Sequence, residues 1–135
     1  MPSERERVEQ ELCAKAEEAI GKMLDALPDK AHITMSDMEE LTGKMGRELM
    51  QFTMQSLSAT QHAEPASVMC ARCQKPMYKR GKRKKRVVTL RGEVEVARQY
   101  YVCPGCGEGF FPLDKQWQLD ESVFSHGVVE RIAAV

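Results

Sequence analysis

Four cysteines carry the most specific chemistry in this sequence. Cys70-Ala-Arg-Cys73 and Cys103-Pro-Gly-Cys106 are two Cys-x-x-Cys pairs separated by the 29 residues from Gln74 to Val102. Two intervening residues let a tight turn aim both sulfurs of a pair inward, and two such pairs present four thiolates to one tetrahedral cation, as zinc prefers in structural sites. Gly107, directly after the second pair, lets the backbone fold back beneath the metal. Zinc (Zn2+) is the expected ion. Iron in a rubredoxin-like site would use the same spacing, although an electron carrier has no use for the positive charge between the pairs. A disulfide framework would need an oxidising compartment; the chain opens Met1-Pro-Ser-Glu-Arg-Glu-Arg with no apolar leader, so a reducing, cytoplasmic setting is expected. Cys13 lies far upstream on an apolar helical stripe and reads as a small buried hydrophobe rather than a ligand.

The charges are segregated although they sum to zero. Residues 1–68 carry 7 basic and 13 acidic side chains (net −6), 69–110 carry 11 and 3 (net +8), and 111–135 carry 2 and 4 (net −2). Nine of the seventeen residues from Lys75 to Arg91 are basic and none is acidic. A basic middle between acidic flanks points to a polyanion-binding surface beside the cysteines. No apolar run approaches the roughly 20 residues of a membrane span, so no membrane association is expected.

The elements that must position these groups follow from periodicity. Ser3 with Glu6 is a capping box, and Val8, Leu12, Ala16, Ala19, Ile20, Met23, Leu24 and Leu27 recur at helical spacing, predicting a helix from Glu4 to Ala26 that ends at Leu27-Pro28-Asp29. Ser36 with Glu39 repeats the box, and Met38, Leu41, Met45, Leu49, Phe52 and Leu57 predict a second helix to Ala59. Gly43 and Gly46 lower its propensity and mark either a close helix crossing or tolerated weak points. The nine methionines are expected to serve mainly as packing. The expected architecture is α+β: an N-terminal antiparallel helical hairpin (1–62), a linker (63–69) containing Pro65, a four-cysteine zinc ribbon of β-hairpins (70–114), and the start of a short C-terminal helical segment (115–135). Within the ribbon, Gly81 is the expected turn residue of the run Lys79 to Arg86. Val87 to Leu90 then form a strand, Arg91-Gly92 turns, and Val94, Val96, Tyr100 and Val102 share one side of the next strand. Tyr78, Tyr100 and Tyr101 read first as packing around the metal and second as base-stacking groups. Phe110, Phe111 and Trp117 read as cover for the ribbon, and a new helix is expected from Glu121.

The run from Cys70 to Asp114 resembles the N-terminal zinc-ribbon region of bacterial insertion-sequence transposases of the ISKra type. It comprises Cys-x-x-Cys, a basic stretch, Val-x-Thr-Leu-Arg-Gly-Glu-Val-Glu-Val-x-Arg-x-Tyr-Tyr-x-Cys-Pro-x-Cys-Gly, and Gly-Phe-Phe-Pro-Leu-Asp. The resemblance implies binding to the ends of a mobile element in a bacterial nucleoid, with DNA cutting and joining carried by a downstream domain of metal-bound carboxylates. The sequence stops where that domain would begin, and Asp114, Asp120, Glu121 and Glu130 lie too near the ribbon for a two-metal site. The expectation is a DNA-binding portion without catalysis of its own, acting beside a full-length transposase.

In that reading Cys70, Cys73, Cys103 and Cys106 hold the metal. Lys79, Arg80, Lys82, Arg83, Lys84, Lys85 and Arg86 face double-stranded DNA, with Arg91 and Arg98 as additional contacts, and any base preference comes from the arginines. RNA is the alternative polyanion. The rival class is a protein-interaction module in which the helices form a homodimer and the ribbon is structural. An enzyme is not expected, because His32, His62 and His126 are scattered and no nucleophile–base or phosphate-loop pattern accompanies them.

Overall fold

The computed structural model describes residues 1–28, 32–61, 64–119 and 122–134. The chain divides into two compact units, Met1–Thr60 and Gln61–Val135. Asp29, His62, Asp120 and Glu121 lie outside the described residues.

In the first unit, α1 (Glu4–Asp25) starts where the Ser3 hydroxyl accepts from the Glu6 amide at 3.2 Å and the Glu6 carboxylate accepts from the Ser3 amide at 3.3 Å. The second capping box forms earlier than expected. Thr34 and Asp37, not Ser36 and Glu39, exchange these bonds at 3.1 and 3.0 Å, so α2 is Met35–Ala59. Thr34 satisfies orphan amides as well as serine would, and Asp37 adds a negative charge to the positive helix end. The helices run antiparallel: Ala26 and Met23 meet Leu41 and Met45, while Lys15 reaches over the Phe52 ring at 5.5 Å. The seam is shallow, with Ala19 the single buried residue among those described in the two helices. Ile20, Leu24, Met38 and Leu57 are exposed, and so is Cys13, which sits about 100° around the helix from Leu12 on the seam. A Cβ on Gly43 or Gly46 would meet first the Arg47 or Met50 side chain of its own helix, so these glycines are weak points and not a crossing.

The second unit is a meander of four antiparallel strands in sequence order: β1 (Val68–Met69), β2 (Pro76–Thr89), β3 (Gly92–Val102) and β4 (Gly109–Phe110). The basic run is not a turn. It lies inside β2, and the turn falls at Leu90-Arg91, where the Thr89 hydroxyl bonds the Gly92 carbonyl at 2.7 Å and the Arg91 amide at 3.1 Å. Gly81 instead serves a β-bulge: the register slips between Lys79, opposite Tyr101, and Lys82, opposite Gln99. Its φ of +88° suits glycine, and the Gln99 amide donates to its carbonyl at 3.0 Å. Residues 64–69, expected as a linker, join the ribbon through β1 and through the Tyr101 hydroxyl, which donates to the Pro65 carbonyl at 2.8 Å.

Directly opposed residues share a face. On one face stand Val87, Lys85 and Arg83 with Val94, Val96 and Arg98, continued by Tyr100 and then by Tyr78 with Val102; on the other stand Lys82, Lys84 and Arg86 with Gln99, Ala97 and Glu95. The first face is covered by α3 (Pro112–Gln116), a single turn absent from the sequence expectation that begins with Pro112, where a missing amide costs nothing. Beyond α3 the chain is not yet helical. Val123 and Ser125 bond Val88 at 2.7 and 2.9 Å along the free edge of β2, and α4 (His126–Ala133) starts only after Ser125 has capped it.

Arg98 is the main departure within the sheet. Its guanidinium is buried, 2.7 Å from the Asp114 carboxylate and 3.8 Å from the centre of the Phe111 ring, while Lys85 lies 4.0 Å from the same carboxylate. Buried charges are tolerable only when paired, so Asp114 ties α3 to the sheet by neutralising a cation that would otherwise be stranded. Asp114→Ala should therefore cost about 3 kcal/mol, read as the urea midpoint of Trp117 fluorescence. Adding Arg98→Met should recover most of that loss; a double variant no more stable than Asp114→Ala would show that packing, not charge, sets the cost.

Candidate metal centre

Each cysteine pair is a knuckle built by the same backbone bonds. In the first, the Gln74 amide donates to the Cys70 carbonyl at 2.8 Å and the Cys70 amide to the Lys75 carbonyl at 2.9 Å. In the second, Gly107 donates to Cys103 and Cys103 to Glu108, both at 2.9 Å. The residue after each pair turns left-handed, with φ of +55° at Gln74 and +76° at Gly107. Gly107 does what its type suggests. Gln74 does the same against its preference, and no signal in its identity announces it.

The two knuckles bring the four sulfurs together. All lie within 4.8 Å of one another, and Cys70 Sγ and Cys106 Sγ are 3.6 Å apart. A tetrahedral cation with metal–sulfur bonds of about 2.3 Å requires sulfur separations of about 3.8 Å, so the cluster is the right size to hold a metal ion. The cysteines are free thiols, and Cys13 is not among this group. Amide donation from Cys106 draws the Cys103 thiol down to about 7. The hydrogen bond to Cys106, with burial and Cys103 nearby, pushes Cys73 up to about 12. Lys75 lies beside the cluster, its side chain and Cys73 Sγ both within 3.6 Å of the point a Gly105 Cβ would occupy.

The centre is also part of the core. Cys70 and Cys103 are buried with Met77 and Tyr101, and Val68, Cys73 and Phe110 pack against them. Tyr101 is thus packing. Tyr100 is half-buried, stacked on Phe111 with ring centres 4.7 Å apart, and its hydroxyl occupies the space a Cβ on Gly109 would need. Tyr78 alone of the three is exposed.

The candidate polyanion contacts separate. Lys79, Arg80, Lys82, Arg83, Lys84 and Arg86 are exposed on β2 and Arg91 in its turn, whereas Arg98 is buried against Asp114 and Lys85 is largely so. The alternation that put Val94, Val96 and Tyr100 inside also carries Arg98 inward, which is the signal that could have identified it. Three exposed cations have carboxylate partners: Lys82 with Glu64 at 3.2 Å, Lys84 with Glu95 at 3.4 Å and Arg86 with Glu93 at 3.8 Å. Among the described residues, no ion pair engages Lys79, Arg80, Arg83 or Arg91. Among the described residues, no helix is long and apolar enough to cross a membrane.

Two predictions follow from the knuckles. Gly107→Ala should lower the denaturation midpoint by about 1 kcal/mol, because an L side chain resists positive φ, whereas Gln74→Gly should leave it unchanged or raise it. Equal losses for both would mean that left-handed strain is not what the two positions share. Metal retention should weaken steadily as pH falls, because protons compete for the sulfurs, at Cys73 well before Cys103; release to a chromophoric chelator across a pH series reads this directly.

Compared with known proteins, the chain matches no protein-family model, no curated protein and no solved structure.

Proposed function

We propose that this chain is a zinc-stabilised DNA-binding module that engages double-stranded DNA through its basic β-ribbon and carries no catalytic step itself. Zinc is the ion that suits four thiolates at this spacing in a closed, tetrahedral, non-redox site. The observation that carries the reading is the placement of Lys79 to Arg86 on one strand anchored at the cysteine cluster, with six of its seven cations exposed. The three exposed ion pairs on this strand are weak in water and exchangeable, so phosphates can replace the carboxylates. The resemblance to insertion-sequence transposases makes the ends of a mobile element the expected duplex and a full-length transposase the expected partner.

A second reading, a zinc-stabilised protein-interaction module, is favoured by the helical hairpin, which leaves the apolar side chains of Ile20, Leu24, Met38 and Leu57 exposed for a second copy to cover.

Fluorescence anisotropy of the zinc-loaded chain with duplex DNA over a salt series separates the two. If about five phosphates are neutralised, the log–log slope should be near −4.5. Replacing Lys79, Arg80, Lys82, Lys84 and Arg91 by alanine, which leaves the Arg98–Asp114–Lys85 cluster intact, should flatten it. A flat slope for the parent chain would remove the DNA reading and leave the interaction module.

A further inference from the structure

The cations of the ribbon are not equivalent, and the difference is one of face. Lys82, Lys84 and Arg86 stand on the face that also carries Glu95, and each meets a carboxylate. On the opposite face Asp114 is engaged by Arg98 and Lys85 near the middle of the hairpin. Toward the metal end of that face, among the described residues, no ion pair engages the cations. What remains there is Tyr78, 60 % exposed and paired across the strands with Val102, then Arg80 in the bulge opposite Tyr100, then Arg83, whose guanidinium lies 4.4 Å above the Tyr100 ring.

This end combines groups that act on nucleic acid in two ways. Guanidinium groups without carboxylate partners attract phosphates. An exposed phenol ring on a rigid strand gives a flat surface on which a base stacks, whatever its identity, provided the base is not already enclosed in a duplex. Tyr78 is well placed for this. Its own backbone is held in β2, adjacent Met77 is buried in the cysteine core, and Tyr100 next along the face is fixed by Phe111. The ring itself is exposed, but its backbone is paired with β3 at Val102 and follows buried Met77.

We infer that Tyr78, flanked by Arg80 and Arg83, is a stacking site for an unpaired base of a DNA strand, so that the ribbon holds single-stranded or end-frayed DNA more tightly than an intact duplex. The inference rests on the nucleic-acid reading proposed above. Arg83 and Arg80 hold the flanking phosphates, and the ring takes the base. The paired cations of the opposite face add duplex attraction that depends on salt and is indifferent to strand separation.

The test uses the full zinc-loaded chain with a single-stranded 12-mer of mixed sequence, the matching duplex and the matching single-stranded RNA. The parent should bind the DNA single strand more tightly than either competitor. Tyr78→Ala should weaken single-strand binding about ten-fold and change duplex binding less than two-fold, while Tyr78→Phe keeps both, since the ring and not the hydroxyl stacks. Unchanged zinc content and circular dichroism guard against misfolding, and Arg80→Ala, at an exposed bulge, provides an independent loss of single-strand affinity. Duplex bound with a steep salt slope but single strand unaffected by Tyr78→Ala would overturn the stacking site and leave the DNA reading standing. RNA bound more tightly than DNA would also overturn it. Binding to none of the three would overturn both.

Discussion

The ribbon depends on one electrostatic problem, the placement of four thiol groups within a few ångströms of one another. Left to themselves they compete for protons and pull their titration apart, as the opposite shifts at Cys73 and Cys103 display. A metal ion held by the four sulfurs would remove that conflict and tie the start of β2 to the end of β3 at a single point. Because Cys70 and Cys103 are also core residues alongside Met77 and Tyr101, the same contact substitutes for apolar volume that a sheet of two long and two two-residue strands cannot supply.

A second electrostatic contact works near the middle of the hairpin. Arg98 enters the interior with its charge intact and is accepted because Asp114 meets it at 2.7 Å and Phe111 lies beneath it. A metal ion at the cysteines would hold the end of β3 by means related to those by which the ion pair holds its middle, neutralising charge that folding has taken from water. The remaining cations of β2 stay in solvent. Their pairing with Glu64, Glu93 and Glu95 shows how residues 69–110, with net charge +8, are accommodated in one sheet without self-repulsion driving its strands apart.

Much of this was legible in the sequence where a residue type has few physical uses. Paired cysteines, the Ser3 and Glu6 box, Pro28 and the apolar alternation in β3 each constrain local structure strongly, and the α+β order of helices, sheet and short helix follows from them. What escaped was whatever depends on partners distant in sequence. Gly81 offers the same positive φ to a turn or a bulge, and only the register with Gln99 decides between them. Arg98 is as basic as its neighbours, and only Asp114 sixteen residues on explains its burial. Thr34 and Ser36 are comparable caps, so the choice lies in geometry. Gln74 adopts a backbone its side chain disfavours because the cysteines on either side of the turn leave no other path.

The bulge at Arg80 and Gly81 also changes how the strand must be counted. Before it, the even-numbered Tyr78 faces the side of Val102; after it, the odd-numbered Arg83, Lys85 and Val87 do. It is a phase shifter: one strand presents its ring near the metal and its aliphatic groups near the tip to the same side, which strict alternation would forbid. Were the bulge smoothed out with no residue lost, Lys82 would fall opposite Arg98 and Arg83 opposite Ala97, and the tip would exchange the face that binds α3 for the face that meets solvent.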